Sequence, residues 1–252
     1  MTSIFQTEAL VIRSRDFGEK DVLLTLLSKE RGKFTIICKG VKKPVSRLRS
    51  SAQLFSHARF FLFEGKSLPV ATQAELLESY GSISSDLQKF AVASYWSEMV
   101  EYLLPEKEMN FHAFILFSKA LRTLDDNSFS WPLFFFFQVK ILALAGFQPV
   151  ADNCASCGGE LGEEKFLSVV AGGTVCSDCH DGSKKVREGT VQSLRFFDTA
   201  KFDTVIKLNI ATPIIIELNQ FLKVFVEHHV ERKMQSAAFL HNFLFLEKNN
   251  IE

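Results

Sequence analysis

The hydrophobic periodicity of the chain changes once, near residue 84, and this change limits what the chain can fold into. Before it, short apolar and β-branched runs are separated by Gly-containing turns, the pattern of β-strands. After it, apolar residues recur about every 3.6 positions, as on the buried face of an α-helix. The sequence therefore predicts a multidomain α+β protein with an N-terminal β part and a mostly helical C-terminal part.

The β part covers residues 1–80 and contains about five short strands. Five strands in so short a segment fit a small barrel, and the five-stranded oligonucleotide-binding (OB) barrel is the leading candidate. An SH3-like barrel would give a similar pattern. The predicted strands are Thr7–Arg13, Val22–Leu27, Lys33–Lys39, Ala58–Phe63 and Pro69–Leu77.

The helical part carries recognisable start and stop signals. Ser84 or Ser85 can cap a first helix that Pro105 ends, and Asn110 can open a second. Pro132 suits the first turn of a third helix, whose Phe residues on every side predict burial on most faces. Because 26 of the 252 residues are Phe, we expect a core rich in Phe. The later predicted helices are Gly189–Thr199, one that starts at Thr212, and Ala237–Leu246.

A cysteine-rich block interrupts the helical pattern. Cys154 and Cys157 form one CxxC pair, and Cys176 and Cys179 form a second pair after 18 intervening residues. Two such pairs are typical of a zinc site with four cysteine ligands, and a filled tetrahedral site is structural rather than catalytic. Iron or redox-active pairs are alternatives, and His180 could replace a ligand. The predicted domains are therefore 1–80, a helical domain over 81–150 and 189–252, and a zinc-binding insert over 151–188.

The formal net charge of zero conceals an asymmetry. Residues 1–80 carry 13 Lys and Arg against 8 Asp and Glu, whereas residues 81–252 carry 16 against 21. Residues 39–49 contain five cations and no acid. Most charge runs are solvated loops, but on a barrel this one predicts salt-dependent binding to nucleic-acid phosphates. The predicted DNA-contacting residues are Arg13, Arg15, Lys33, Lys39, Lys42, Lys43, Arg47 and Arg49.

Aromatic rings of the β part are candidates for base stacking, although most are expected in the core. Alternation predicts that some rings of the fourth strand face outward, without indicating which. Cys38 lies alone in a predicted strand and is expected to be buried. The rings in question are those of Phe17, Phe34, Phe60, Phe61 and Phe63.

Several functions lack a supporting pattern. The sequence contains no GxxxxGK[ST], GxGxxG, HExxH or GxSxG motif, and its six His form no ligand-spaced pair with a carboxylate. We therefore expect no catalytic residue and no small-molecule substrate. The N-terminus lacks a signal-peptide pattern, and the longest apolar stretch, 131–147, is too short to cross a bilayer. We expect a cytoplasmic protein without membrane contact, with its cysteines reduced.

Four sequence segments resemble the bacterial recombination mediator family RecO. They are EALVIRSRDFGEKD at 8–21, KGVKKP at 39–44, SRLR at 46–49 and TQAEL at 72–76. The order of parts, a barrel followed by helices with an inserted four-cysteine module, is also similar. The resemblance implies a non-enzymatic, nucleoid-associated protein that binds single- and double-stranded DNA and anneals complementary strands. The family's barrel is basic where the cations of 39–49 lie.

The resemblance also implies protein partners. Members of the family engage the single-stranded-DNA-binding protein SSB and, with RecR, help to load the recombinase RecA. A groove for an acidic, Phe-ended SSB tail would need apolar walls and a cation, for which Lys119, Arg122 and Lys140 are candidates. Two alternatives remain open: an RNA-binding or transcription-associated adaptor, and an enzyme whose site has no familiar motif.

Overall fold

The structure is a computed structural model that describes residues 4–244, with side chains as far as residue 241. The predicted segment Ala237–Leu246 and the predicted second helical part, 189–252, both extend past residue 244. Their C-terminal ends therefore lie outside the described residues. The described part combines a closed five-stranded barrel, eight helices and a separate three-stranded sheet.

The barrel strands are β1 (Ile4–Phe17), β2 (Asp21–Ser28), β3 (Gly32–Cys38), β4 (His57–Phe63) and β5 (Val70–Glu78). Their order is β1-β2-β3-β5-β4, and the barrel closes because β1 pairs with both β2 and β4. The pairing of β3 with β5 is parallel and short, whereas the other pairs are antiparallel. This arrangement confirms the predicted OB-like barrel.

Side chains of the strands alternate between the barrel core and its outer face, as strand geometry requires. In β4, for example, Ala58, Phe60 and Leu62 are buried, whereas Phe61 and Phe63 are only half-buried. A bulge in the middle of β1 shifts its register against β2 and lets this long strand bend around the barrel. The core of the barrel is a continuous apolar cluster drawn from all five strands.

Three helices follow the barrel: α1 (Gly81–Ser85), α2 (Leu87–Leu103) and α3 (Phe111–Asp126). Asp86, rather than the predicted Ser84 or Ser85, caps α2, because its carboxylate accepts hydrogen bonds from the first backbone N–H groups of the helix. Ser84 and Ser85 lie in the short α1 instead. Asn110 caps α3 as predicted, through its side-chain oxygen.

The remaining elements are α4 (Trp131–Leu144), β6 (Lys165–Ser168), β7 (Gly173–Val175), β8 (Lys184–Val186), α5 (Glu188–Thr199), α6 (Phe202–Val205), α7 (Thr212–His229) and α8 (Ser236–Leu244). Ser130 caps α4, and Pro132 lies in its first turn. The four consecutive rings Phe134–Phe137 are each at most 2% exposed. The prediction of a helix buried on most faces, and of a Phe-rich core, is confirmed.

The described residues pack into two compact units. The first contains the barrel, α1 to α3 and α8, and the second runs from Phe129 to Gln235. The second unit includes α4 to α7 and the three-stranded sheet, in the order β7-β6-β8. The domain bounds derived from the sequence stay predictions. Among the described helices, none has the length and apolarity needed to span a membrane.

Candidate nucleic-acid interface and metal centre

The predicted cationic segment lies in the connection between β3 and β4. Residues 39–49, which we call the basic loop, form a series of turns without regular helix or strand. Backbone hydrogen bonds hold these turns, from the N–H of Lys43 to the oxygen of Gly40 at 3.1 Å and from Ser46 to Lys43 at 3.0 Å. The cations of the loop are all exposed, namely Lys39, Lys42, Lys43, Arg47 and Arg49.

Apolar side chains fasten the basic loop to the barrel. Val41 and Leu48, at 6% and 9% exposure, belong to the apolar core of the barrel, and Ala52 joins them just beyond the loop. Burial of a Val or Leu side chain contributes about 2 kcal/mol each. Because these anchors point inward, the cations beside them are held on the outer surface.

Polar contacts fix the other side of the loop to the β1–β2 turn. The N–H of Gly40 donates to Oδ1 of Asp21 at 2.8 Å, and the N–H of Lys42 donates to the backbone oxygen of Lys20 at 3.1 Å. Nζ of Lys42 lies 2.8 Å from Oδ2 of Asp16, whose side chain is 81% exposed. An ion pair so exposed to solvent contributes little to stability. A phosphate can therefore compete with Asp16 for Lys42. Within residues 4–241, no ion pair engages the other four cations of the loop.

Two predicted cations lie on β1. Arg15 is exposed near its C-terminal end, close to the turn that holds the basic loop. Arg13 is half-buried, and its Nη1 lies 2.5 Å from Oε1 of Glu101 in α2. This hydrogen bond raises the pKa of Arg13 by stabilising its charged form. Arg15 is therefore open to a phosphate, while Arg13 already has a carboxylate partner.

Lys33 requires a correction to the predicted DNA-contacting set. Its side chain is buried, at 7% exposure for the residue, and its ammonium group donates to the backbone oxygen of Glu101. Burial lowers the pKa of Lys33, an effect that the carboxylates of Glu106 and Glu101 oppose. Strand alternation turns Lys33 out of the barrel, but the end of α2 covers that part of the surface. It is therefore not available to a phosphate.

The candidate stacking rings separate into two groups. Phe34 and Phe60 are buried in the barrel core, at 6% and 0% exposure. Phe17 is 47% exposed at the end of β1, and Phe61 and Phe63 lie half-buried on the outer face of β4. The outward-facing rings of β4, which the sequence left undecided, are thus Phe61 and Phe63.

The four cysteines of the CxxC pairs lie together in the second unit. The ligand atoms of Cys154, Cys157, Cys176 and Cys179 are all within 4.8 Å of one another. Bonds of about 2.3 Å to a tetrahedral zinc ion would place sulfurs roughly 3.8 Å apart, so small movements suffice for ligation. His180 is not part of this group; its ring stacks on Phe166, with centroids 4.3 Å apart.

Turns of the backbone bring each pair of thiols to one side. The N–H of Gly158 donates to the oxygen of Cys154 at 2.8 Å, with Gly158 at a φ of +73° that favours glycine. The N–H of Cys179 closes a similar turn onto Cys176 at 3.2 Å. Backbone N–H groups of Cys157 and Cys176 lower the pKa of Cys154 to about 6. The thiolate, the form that binds metal, is thereby favoured at Cys154, whereas hydrogen bonds with Cys176 and Cys157 raise the pKa of Cys179 to about 12.

The remaining predicted candidates are the lone cysteine of the barrel and the three cations considered for an acidic SSB tail. Cys38 is buried at 1% exposure, as expected, and burial raises the pKa of its thiol to about 12. Lys119 is exposed on α3. The guanidinium of Arg122 lies 2.8 Å from Oε1 of Glu78, and the ammonium of Lys140 donates to the backbone oxygen of Asp198.

Comparison with known proteins agrees with this architecture. The family model described as "Recombination protein O N terminal" matches residues 1–80, and "Recombination protein O C terminal" matches residues 84–238. DNA repair protein RecO of Pelotomaculum thermopropionicum is 33% identical over 95% of this chain and 94% of its own length. The protein of the same name from Desulforudis audaxviator is 34% identical over 94% of this chain and 96% of its own. That from Desulforamulus reducens is 32% identical over 94% of both chains.

These matches define the class as a DNA repair protein, and its structure is built on an OB-like barrel with a basic loop. The chain belongs to the recombination protein O (RecO) family, since the two family models together cover most of its length. The resemblance seen in the N-terminal motifs is thereby confirmed.

Proposed function

We propose that this protein is a DNA-binding recombination mediator that anneals complementary strands and helps to load recombinase on SSB-coated single-stranded DNA. The observation that carries the proposal is the basic loop, in which five exposed cations without an acid are held outward by buried anchors. The contacts to DNA are Lys39, Lys42, Lys43, Arg47, Arg49 and Arg15, with Arg13 as a peripheral contributor.

Annealing follows from charge neutralisation. Two DNA strands repel each other through their phosphates, and a fixed cationic surface that binds one strand lowers the repulsion felt by the second. Phosphate contacts carry no base information, so the effect is tolerant of sequence and sensitive to salt. Such a role needs no bond to be made or broken, and the protein acts without a catalytic residue.

The thiol cluster holds a structural Zn²⁺ ion through Cys154, Cys157, Cys176 and Cys179. When bound, zinc supplies four strong bonds to thiolates and no open coordination position. It fixes the fold of the module around it and takes no part in DNA chemistry. The partners that the family resemblance implies are SSB, RecR and, indirectly, RecA, in the bacterial cytoplasm at the nucleoid.

The deciding experiment follows annealing of two complementary oligonucleotides by fluorescence, with naked and with SSB-coated strands, over a series of salt concentrations. We expect annealing that weakens steeply with salt and persists on SSB-coated strands. Annealing of naked strands alone would contradict the SSB partnership, and no annealing at low salt by the folded, zinc-loaded protein would contradict the function.

The rival reading, an RNA-binding or transcription-associated adaptor, is tested in the same assay. Unlabelled RNA and DNA of one sequence are compared as competitors for the annealing protein. We expect DNA to compete at least as well as RNA. A clear preference for RNA would favour the adaptor.

A further inference from the structure

A cleft of about 740 Å³ lies beside the barrel, in the first unit. It exists because β3 pairs with β5 only at Ile37 and Cys38, so in the described residues no barrel strand covers this edge of the first half of β3. The segment after α2 runs along that edge, where the N–H of Lys107 donates to the backbone oxygen of Lys33 at 2.7 Å. The β4–β5 loop forms the opposite wall. In OB barrels, this loop and the β2–β3 face are the usual places for an oligonucleotide.

The charges that line the cleft balance, unlike those of the basic loop. Three cations face three carboxylates, so neither a phosphate nor an acidic peptide gains much by entering. An uncharged but strongly hydrogen-bonding group suits such a lining better. The charged lining residues are Arg15, Arg31, Lys107, Glu30, Glu64 and Glu106.

A guanidinium group lies over an aromatic ring in the lining of the cleft. Cζ of Arg31 lies 3.9 Å from the centroid of the Phe5 ring. Phe5 is half-buried against the barrel core, whereas Arg31 is exposed. The ring therefore supports the guanidinium from one side, while Arg31 itself remains exposed. Nucleic-acid bases stack readily on Arg planes held in this way.

Hydrogen-bond acceptors complete the lining. Glu30 already accepts a bond from Oγ1 of Thr7 at 2.6 Å. Among the described residues, the carboxylates of Glu64 and Glu106 have neither an ion pair nor a hydrogen bond, and both residues are exposed. A carboxylate accepts from the exocyclic amino group of cytosine, adenine or guanine. Thymine has no amino group, and its single donor on this edge, N3–H, lies between two carbonyl oxygens that a carboxylate repels, so it is the poorer partner for Glu64 or Glu106.

We propose that this cleft receives an unpaired base of single-stranded DNA and favours cytosine over thymine. The base stacks on the outer face of Arg31, and Glu64 or Glu106 accepts its amino hydrogen. The flanking phosphates lie at the edge of the cleft beside Arg15 and continue toward the basic loop, which is hydrogen-bonded to the β1–β2 turn. The inference rests on the DNA-binding function proposed above and adds base selectivity to it.

The test measures binding of labelled oligo(dC) and oligo(dT) of equal length to the full chain by fluorescence anisotropy, at neutral pH. We expect oligo(dC) to bind about fivefold more tightly, the discrimination of roughly one good carboxylate–amine contact. In the double variant Glu64→Gln, Glu106→Gln this ratio should fall to near one, because an amide can bond either base.

The matched control is the double variant Glu19→Gln, Glu163→Gln, which removes the same charge from exposed positions outside the cleft. It should keep the preference for oligo(dC). Stacking is followed separately with 2-aminopurine in the oligonucleotide, whose fluorescence should be quenched on binding to the wild type and less quenched with Arg31→Ala.

The outcomes separate the cleft from the general function. Equal affinity for the two oligonucleotides, or a preference that survives the Glu64/Glu106 variant, overturns the base site while DNA binding through the basic loop stands. Absence of binding to either oligonucleotide at low salt overturns the proposed function itself.

Discussion

The basic loop and the cysteine module, residues 151–188, are both poor in regular structure, yet they are stabilised in opposite ways. The loop carries a net charge of +5 and is fastened by side chains that belong to the barrel core. The module carries 4 cations against 7 acids, a net charge of −3. Its own apolar cluster is centred on just three buried residues, Cys154, Phe166 and Val175. So small a core cannot hold a fold without cross-links.

The difference separates two tasks that a nucleic-acid-binding metal module often combines. The cationic surface needs no metal, because the barrel supports it. The cysteine module is not expected to attract a phosphate, because its acidic residues outnumber its cations. Stability of the module and affinity for DNA should therefore respond to different changes, and each prediction below tests that separation, beginning with the largest effect.

Replacing Cys154 or Cys176 by Ser should abolish metal binding and unfold the module. Structural zinc sites supply folding free energy on the order of 10 kcal/mol, far more than a three-residue cluster can. Metal content by mass spectrometry should fall from one zinc per chain to none. Amide hydrogen exchange should lose protection across 151–188 but not in the barrel.

Cys38→Ala is the control, because this buried thiol lies in the barrel and far from the cluster along the chain. It should keep the zinc. Retention of one zinc per chain after loss of Cys154 would contradict the four-ligand site, and loss of protection in the barrel would break the proposed separation.

Replacing Lys42, Lys43, Arg47 and Arg49 together by Ala should weaken DNA binding similarly for all sequences. Each lost phosphate contact removes about 0.7 from the slope of log affinity against log salt for single strands, so four lost contacts remove about 3. Anisotropy titrations over a range of salt concentrations measure the slope.

The module offers a matched comparison for this prediction. Lys184 and Lys185 are adjacent and exposed, like Lys42 and Lys43 in the loop. Replacing the loop pair by Ala should lower the slope, whereas replacing the module pair should leave it unchanged. Equal effects of the two pairs would show that DNA also crosses the cysteine module.

Leu48→Ala tests the loop's anchor without changing any charge. Truncation of a buried Leu costs about 2 to 3 kcal/mol of unfolding free energy, and a loosened loop should bind DNA a few-fold more weakly. Chemical denaturation and anisotropy measure the two effects. Val45, which is 89% exposed in the same loop, provides the control, since Val45→Ala should change neither quantity. Unchanged DNA affinity after Leu48→Ala would mean that the loop needs no fixed conformation.

The features that the sequence predicted well are those encoded by neighbouring residues. Strand alternation and Gly turns indicated the five strands of the barrel, although β1 proved longer, because a bulge lets it serve two partners. The CxxC spacing identified each pair of thiols because a tight turn depends only on neighbouring residues, and the backbone contact from Ala155 to Thr174 helps to bring the two pairs together. Caps were less certain, since Ser84, Ser85 and Asp86 lie within one turn of each other and the geometry alone selects Asp86.

Contacts between segments that are distant in the sequence could not be predicted from local patterns. The carbonyl that engages Lys33 and the carboxylate that engages Arg13 both belong to Glu101, in a helix that follows the barrel. The cleft likewise joins Phe5 and Arg31 to residues of the β4–β5 loop and of the segment after α2. The sequence offered one hint that Lys33 has a partner. It is the first residue of a mostly apolar predicted strand, an unusual position for an unpartnered cation.

The smallest expected effect concerns the two cations that sequence reasoning treated alike. Arg15→Ala should lower the salt slope by about 0.7, the value of one phosphate contact. Lys33→Met should leave the slope unchanged, because the ammonium of Lys33 already bonds to Glu101 under the cover of α2. Met fits the buried stem of Lys33 but loses that bond, so thermal unfolding should shift even though DNA binding does not. If Lys33→Met instead lowered the slope as much as Arg15→Ala, the end of α2 would have to move away from the barrel when DNA binds. The interface would then extend from the basic loop across the outer face of β3, and the cleft beside it would change shape on binding.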